Sequence, residues 1–152
     1  MIRAAEVFLE TGKTITQHNL ETQAIPPKYD PLWIGMDFTD RAELYARIDR
    51  RVDLMVQDGL LPEIERLLAE GIPAAATSLQ AIGYKEPMAA LRGEMSMEEA
   101  VDKIKMESRR YAKRQLTWFR RNPNMHWLIR EKEDGFDEIL AKARQVLHEN
   151  DN

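Results

Sequence analysis

SMEEAVDKIKMESRRYAKRQLTWFRR, residues 96–121, is the stretch that decides the architecture. Ser96 followed three positions later by Glu99 is a capping-box pattern, so a helix starts here. At about 100° per residue, Met97, Val101, Ile104, Ser108, Tyr111, Gln115 and Trp118 fall on one stripe, predicted to face protein. Arg109, Lys113 and Arg120 make one row on the far side, and Lys103, Arg110, Arg114 and Arg121 make another, with Thr117 between. The helix ends at Asn122-Pro123-Asn124, because proline cannot continue it. An element of this length sets a mostly helical fold.

The flanking sequence supports that reading. Met125-His126-Trp127-Leu128-Ile129 is a short apolar run of strand type, and Phe136, Ile139, Leu140, Ala143 and Leu147 space out a terminal amphipathic helix. Upstream, Leu32-Trp33-Ile34-Gly35-Met36-Asp37-Phe38 reads as a second buried strand bounded by Pro31. Asp40 and Glu43 repeat the capping-box spacing ahead of a helix with Leu44, Ile48, Val52 and Met55 inward, stopped by Gly59. Pro62 opens another helix, with Ile64, Leu67 and Leu68 inward. Residues 2–10 read as a helix that begins without a cap and stops at Gly12, and residues 13–31 have loop composition. Two strands are too few for a stable sheet, so the strands are expected to pair with something else.

Composition narrows the function. The chain has 152 residues, no cysteine and a net charge of −4. Disulfides, thiolate metal sites and a thiol nucleophile are thereby excluded. His18, His126 and His148 are too scattered to suggest a metal site. No apolar run approaches bilayer-spanning length and no signal-peptide core precedes the first helix, so a soluble, cytoplasmic protein is expected. The charge is unevenly placed: residues 103–121 hold eight cations against Glu107 alone, a local +7, which leaves −11 for the remainder. A basic patch on an acidic chain points to a local binding surface.

Three groups of residues are candidates for that surface. In Lys113-Arg114-Gln115-Leu116-Thr117-Trp118-Phe119-Arg120, cations can neutralise phosphates, rings and guanidinium planes can stack on unpaired bases, and Gln or Thr can hydrogen-bond base edges. A solvated basic helix face over a Tyr/Trp core stripe is the plainer alternative. In Gln80-Ala81-Ile82-Gly83-Tyr84-Lys85, a glycine turn, free amides at a helix start and a lysine suggest an anion site. Arg51 lies near the edge of the Leu44/Ile48/Val52/Met55 stripe, and its partner is either a phosphate or an acid such as Asp49 or Asp53. Gly12-Lys13-Thr14 mimics the end of a P-loop, but Val7 stands where that motif needs glycine, and the segment follows a helix rather than a strand.

Four blocks in order carry a resemblance: Arg3-Ala4-Ala5-Glu6-Val7 with Thr11-Gly12-Lys13; Arg51-Val52-Asp53-Leu54-Met55 with Gly59-Leu60; Gln80 to Glu86; and Arg109 to Arg120. Together they resemble bacterial tRNA dimethylallyltransferases over nearly the whole chain. The resemblance implies transfer of the isopentenyl group of dimethylallyl diphosphate to N6 of the adenosine 3′ of the anticodon, on a P-loop-kinase-like fold with a helical insertion. It implies that Gln80–Lys85 and Lys113–Arg120 contact the tRNA anticodon stem-loop, and that Arg3, Arg51 and Arg109 contact tRNA or diphosphate.

No segment here matches the part of that family that carries the P-loop, the catalytic Asp, the Mg2+ site and most of the parallel sheet. The expected fold class is accordingly mostly α with minor β, the C-terminal part of a P-loop-kinase-like α/β fold, with residues 40–121 as the helical tRNA- and substrate-binding part. No catalytic residue and no metal ligand is expected in this chain. Its expected partners are tRNA, dimethylallyl diphosphate and the missing N-terminal half, in a protein monomeric when complete. The alternative expectation is a non-catalytic RNA-binding or helical interaction module derived from the same family.

Overall fold

Residues 2–26 and 28–150 are described by a computed structural model. The chain divides into two compact units, residues 1–31 and 32–152.

The first unit holds α1 (Ile2–Thr11) and α2 (Ile15–Ala24). Gly12 ends α1 in a left-handed conformation, φ +70°, its N–H donating to the Phe8 carbonyl. That is the helix stop expected from the sequence, and it settles the false P-loop: Lys13 pairs with Glu21 at 2.6 Å, and Thr14 caps α2 by accepting from the Gln17 amide. The expectation of loop from 13 to 31 is corrected here. A ten-residue helix with no buried residue occupies the middle of that segment, and it left no apolar periodicity to read.

The second unit begins with β1 (Trp33–Phe38), continues through α3 (Arg41–Gln57) and α4 (Leu60–Ala69), then a 3₁₀ turn at Thr77–Gln80 and α5 (Lys85–Leu91). It closes with α6 (Met97–Phe119), β2 (Met125–Arg130) and α7 (Phe136–Asn150). The long helix starts as its sequence dictates: the Glu99 amide donates to Ser96 Oγ at 3.1 Å, and the Ser96 amide donates to Glu99 Oε2 at 2.7 Å. The matching pattern at α3 forms only half. Asp40 accepts from the Ala42 amide, while Glu43 turns toward Arg47 at 3.6 Å.

A helical core forms where α3, α4, α5 and α6 meet, around Val52, Leu60, Ile64, Leu79, Met88 and Ile104. The two strands, expected to find partners elsewhere, are neighbours in one sheet. They pair with each other in parallel, Trp33 opposite Met125 through Phe38 opposite Arg130, with α3 to α6 as the crossover. Gly35 lets the strands approach closely, because a Cβ there would lie 3.0 Å from the Trp127 ring and the Met125 sulfur, and those side chains would have to shift. Trp33, Ile34, Met36 and Ile129 remain substantially exposed on this small sheet. No helix among the described residues is long and apolar enough to cross a membrane.

Candidate nucleic-acid interface

The inward stripe of α6 differs from its sequence reading in the second half of the helix. Ala100 and Ile104 are buried and Ala112, Leu116 and Phe119 follow them inward, whereas Tyr111 is 49% and Trp118 62% exposed. The cause is tertiary. Steps of four residues advance about 400°, so the inward direction winds around the helix. The first half of α6 packs on α3 and α5, and the second half lies over the strands. There Ala112, Gln115, Leu116 and Phe119 line a groove of about 430 Å³ with Trp33, Gly35, Met36, Met125 and Trp127. Of the predicted tRNA-contact run, Leu116 and Phe119 therefore lie on the sheet side, with Gln115 at the edge of the groove.

The outward face gathers the rest. Arg110, Lys113, Arg114, Thr117, Trp118 and Arg121 line a concavity of about 500 Å³. The Arg114 guanidinium lies over the Tyr111 ring, 5.7 Å from its centroid, and Trp118 is buttressed edge-to-face by Phe119 at 4.9 Å. Arg110 is paired with Glu107 at 2.7 Å, but among the described residues Lys113, Arg114 and Arg121 have no carboxylate at ion-pair distance. The sequence reading buried both rings. The structure instead puts them beside free cations, where they can stack on bases while the cations meet phosphates.

Three further cations are bonded across to other elements of the fold. Lys105 and Arg109 reach across to Asp53 and Asp49 on α3. The Asp53 hydrogen bond, at 2.6 Å, holds the Lys105 ammonium above its ordinary pKa. Arg120 bridges to the buried Asp37 of β1 at 2.5 Å. Arg51 is not the partner of Asp49 or Asp53. It is exposed, and with Glu43, Ala46, Arg47, Arg50 and Leu54 it lines an arginine-rich concavity of about 640 Å³ on the outer side of α3. Arg3 is exposed on α1 in the other unit.

At Gln80–Lys85 several of the amides expected to be free for an anion are engaged within the fold. Gly83 adopts φ +98° and its N–H donates to Glu86 Oε2 at 2.9 Å. The Tyr84 and Lys85 amides both donate to the Ala81 carbonyl. What the turn does offer is side chains: Gln80, Ala81 and Lys85 are exposed, while Ile82 and Tyr84 pack on the helical core. Tyr84 Oη donates to Glu63 at 3.0 Å, and that carboxylate raises the phenol's pKa. Among the described residues no group of three or more His, Asp or Glu could hold a metal ion.

The chain is similar to known proteins over most of its length. The profile of the family described as IPP transferase matches residues 1–122. The tRNA dimethylallyltransferase of Acetivibrio thermocellus is 42% identical over 147 residues, which is 97% of this chain and 47% of that protein. Its counterpart in Staphylococcus epidermidis is 45% identical over 132 residues, 87% of this chain and 39% of that protein. The crystal structure of tRNA delta(2)-isopentenylpyrophosphate transferase from Staphylococcus epidermidis superposes with a TM-score of 0.74 at 40% identity, covering 98% of this chain and 48% of that one. The full-length tRNA isopentenylpyrophosphate transferase of Bacillus halodurans gives 0.69 at 38% identity, covering 87% and 45%. The chain spans about half the length of the curated relatives it matches.

Proposed function

The chain belongs to the IPP transferase family, and on that premise we propose that it holds tRNA for transfer of a dimethylallyl group to N6 of the adenosine 3′ of the anticodon. The observation that carries this reading is the outer face of α6, where Lys113, Arg114 and Arg121, unpaired among the described residues, stand beside the exposed rings of Tyr111 and Trp118. Cations alone would suit any polyanion. Rings interleaved with cations suit an unpaired loop, whose bases can leave the stack. Gln80, Ala81 and Lys85 supply a second contact with the same RNA. Chemistry on a base needs that base extracted from its stack, and a surface gripping the loop on either side helps to meet that need.

Arg51, with Arg47 and Arg50, is the proposed neighbour of the diphosphate. A departing diphosphate gathers negative charge as the carbon–oxygen bond breaks, and fixed guanidinium groups stabilise it. Arg109 is assigned no contact with substrate, because Asp49 already occupies it. The base that receives the N6 proton, and the metal site, are assigned to sequence that matches the other half of the relatives.

Incubating the 152-residue chain with an anticodon stem-loop and dimethylallyl diphosphate, followed by nucleoside mass spectrometry, tests this division of labour. No isopentenyladenosine is expected from the chain alone, and product is expected when the other half of a relative is supplied in trans. Product from the chain alone would overturn it. Salt-sensitive RNA binding with no product under either condition would favour a non-catalytic RNA-binding module.

A further inference from the structure

Glu86 is buried to 1% exposure at the first turn of α5, against the helical core. Its Oε2 accepts the Gly83 N–H, and its Oε1 has no hydrogen-bond partner among the described residues. The nearest cation is the Lys85 ammonium, 3.7 Å from Oε1, on a side chain 45% exposed. A carboxylate withdrawn from water with one hydrogen bond and a loose ion pair is costly. Core packing alone would be served better by an apolar side chain of the same size.

We propose that Glu86 is the positioning residue of the RNA-contacting turn, fixing Gly83 from within and thereby the place where Lys85 presents its charge. This rests on the reading that the turn contacts tRNA. Gly83 is buried and its N–H has no backbone acceptor among the described residues, so a side chain must supply one. The remaining ties act elsewhere on the turn: Tyr84 Oη donates to Glu63, and Gln80 Nε2 donates to the Ala74 carbonyl at 3.1 Å. Among the described residues only Glu86 reaches both the glycine amide and the lysine. The 3.7 Å contact limits the wandering of the ammonium without a close hydrogen bond, on a side chain that stays partly exposed, and a prearranged cation binds a phosphate more tightly than a free one.

Binding of a labelled anticodon stem-loop by fluorescence anisotropy, with Lys85→Ala, Glu86→Gln, Glu86→Met and the Lys85→Ala/Glu86→Met double variant, tests the assignment. Lys85→Ala and Glu86→Met are each expected to weaken binding by about tenfold, roughly the ordering cost of one long side chain. Glu86→Gln keeps an acceptor for Gly83 and is expected to bind within about threefold of the parent. The losses in the double variant should not multiply, because both act through one lysine. Multiplied losses, or parental binding by Glu86→Met beside a weakened Lys85→Ala, would overturn the role of Glu86 alone. Parental binding by Lys85→Ala would remove the turn from the RNA interface and both readings with it. Should Glu86→Met not fold, hydrogen exchange at the Gly83 amide of Glu86→Gln decides. Amide protection and RNA affinity should be kept or lost together, and their separation would contradict the proposal.

Discussion

The Arg120 guanidinium lies 2.5 Å from the buried carboxylate of Asp37, a residue 83 positions earlier in the chain. This bond ties the C-terminal end of α6 to β1, while about half of the Arg120 side chain stays exposed. Arg109 and Arg120 are bonded to carboxylates of α3 and β1, whereas among the described residues Lys113, Arg114 and Arg121 have no carboxylate at ion-pair distance.

Arg120→Ala should therefore act on stability first. Breaking a buried pair costs about 3–5 kcal/mol, but the Arg120 side chain is about half exposed, and solvent screening reduces the expected loss to about 1–3 kcal/mol. Urea unfolding checks this. Asp37→Asn in the same background should recover part of the loss, since it removes the uncompensated charge.

The two sets of cations should also respond differently to salt. Replacing Lys113, Arg114 or Arg121 with Ala should lower the slope of log affinity against log salt by about 0.7 each for single-stranded contacts. Lys105→Ala and Arg109→Ala should lower thermal stability and leave the slope unchanged, because Asp53 and Asp49 hold those side chains. Titrations at a series of salt concentrations would separate the groups.

Ser96→Ala should destabilise the chain by about 1 kcal/mol, as loss of an N-cap does. It removes the Oγ that accepts the Glu99 amide, while the backbone N–H of residue 96 can still donate to Glu99 Oε2. Denaturant unfolding, with circular dichroism as the readout, measures the change. A neutral result would mean that α6 is fixed by packing alone.

Acid should act through Asp134 and Glu99. Lys142 and the Glu131 amide hold the Asp134 carboxyl below its ordinary pKa, and the bonds to Ser96 do the same for Glu99. A folded-state pKa lowered in this way gives stability that is fully present above the unfolded value of about 4 and is lost as pH falls through the folded value. Melting temperatures measured from pH 6 downward should decline below about pH 4, with a shallower decline in Asp134→Asn.

What sequence reveals here follows from how local the cause is. Ser96 with Glu99, Gly12 and Gly59 act within a few residues of themselves, and each does what its spacing implies. The α2 helix was not legible, because it buries no side chain and shows no apolar stripe. The outward turn of Tyr111 and Trp118 was hidden for a different reason: the neighbours of α6 change along its length, and no periodicity within the helix records them. The Arg120–Asp37 and Arg109–Asp49 bonds join residues 83 and 60 positions apart, and the strand pairing depends on the same long crossover. The four sequence blocks identified the family, but only the fold divided their cations between structure and surface.

The most direct test of the central claim, that the outer face of α6 grips the anticodon loop, is stem-loop affinity measured against salt for the chain and for a Lys113→Ala/Arg114→Ala/Arg121→Ala variant with an unchanged melting temperature. The account predicts that the variant's slope falls by about 2, with a loss of affinity at low salt. Equal slopes and equal affinities would contradict it.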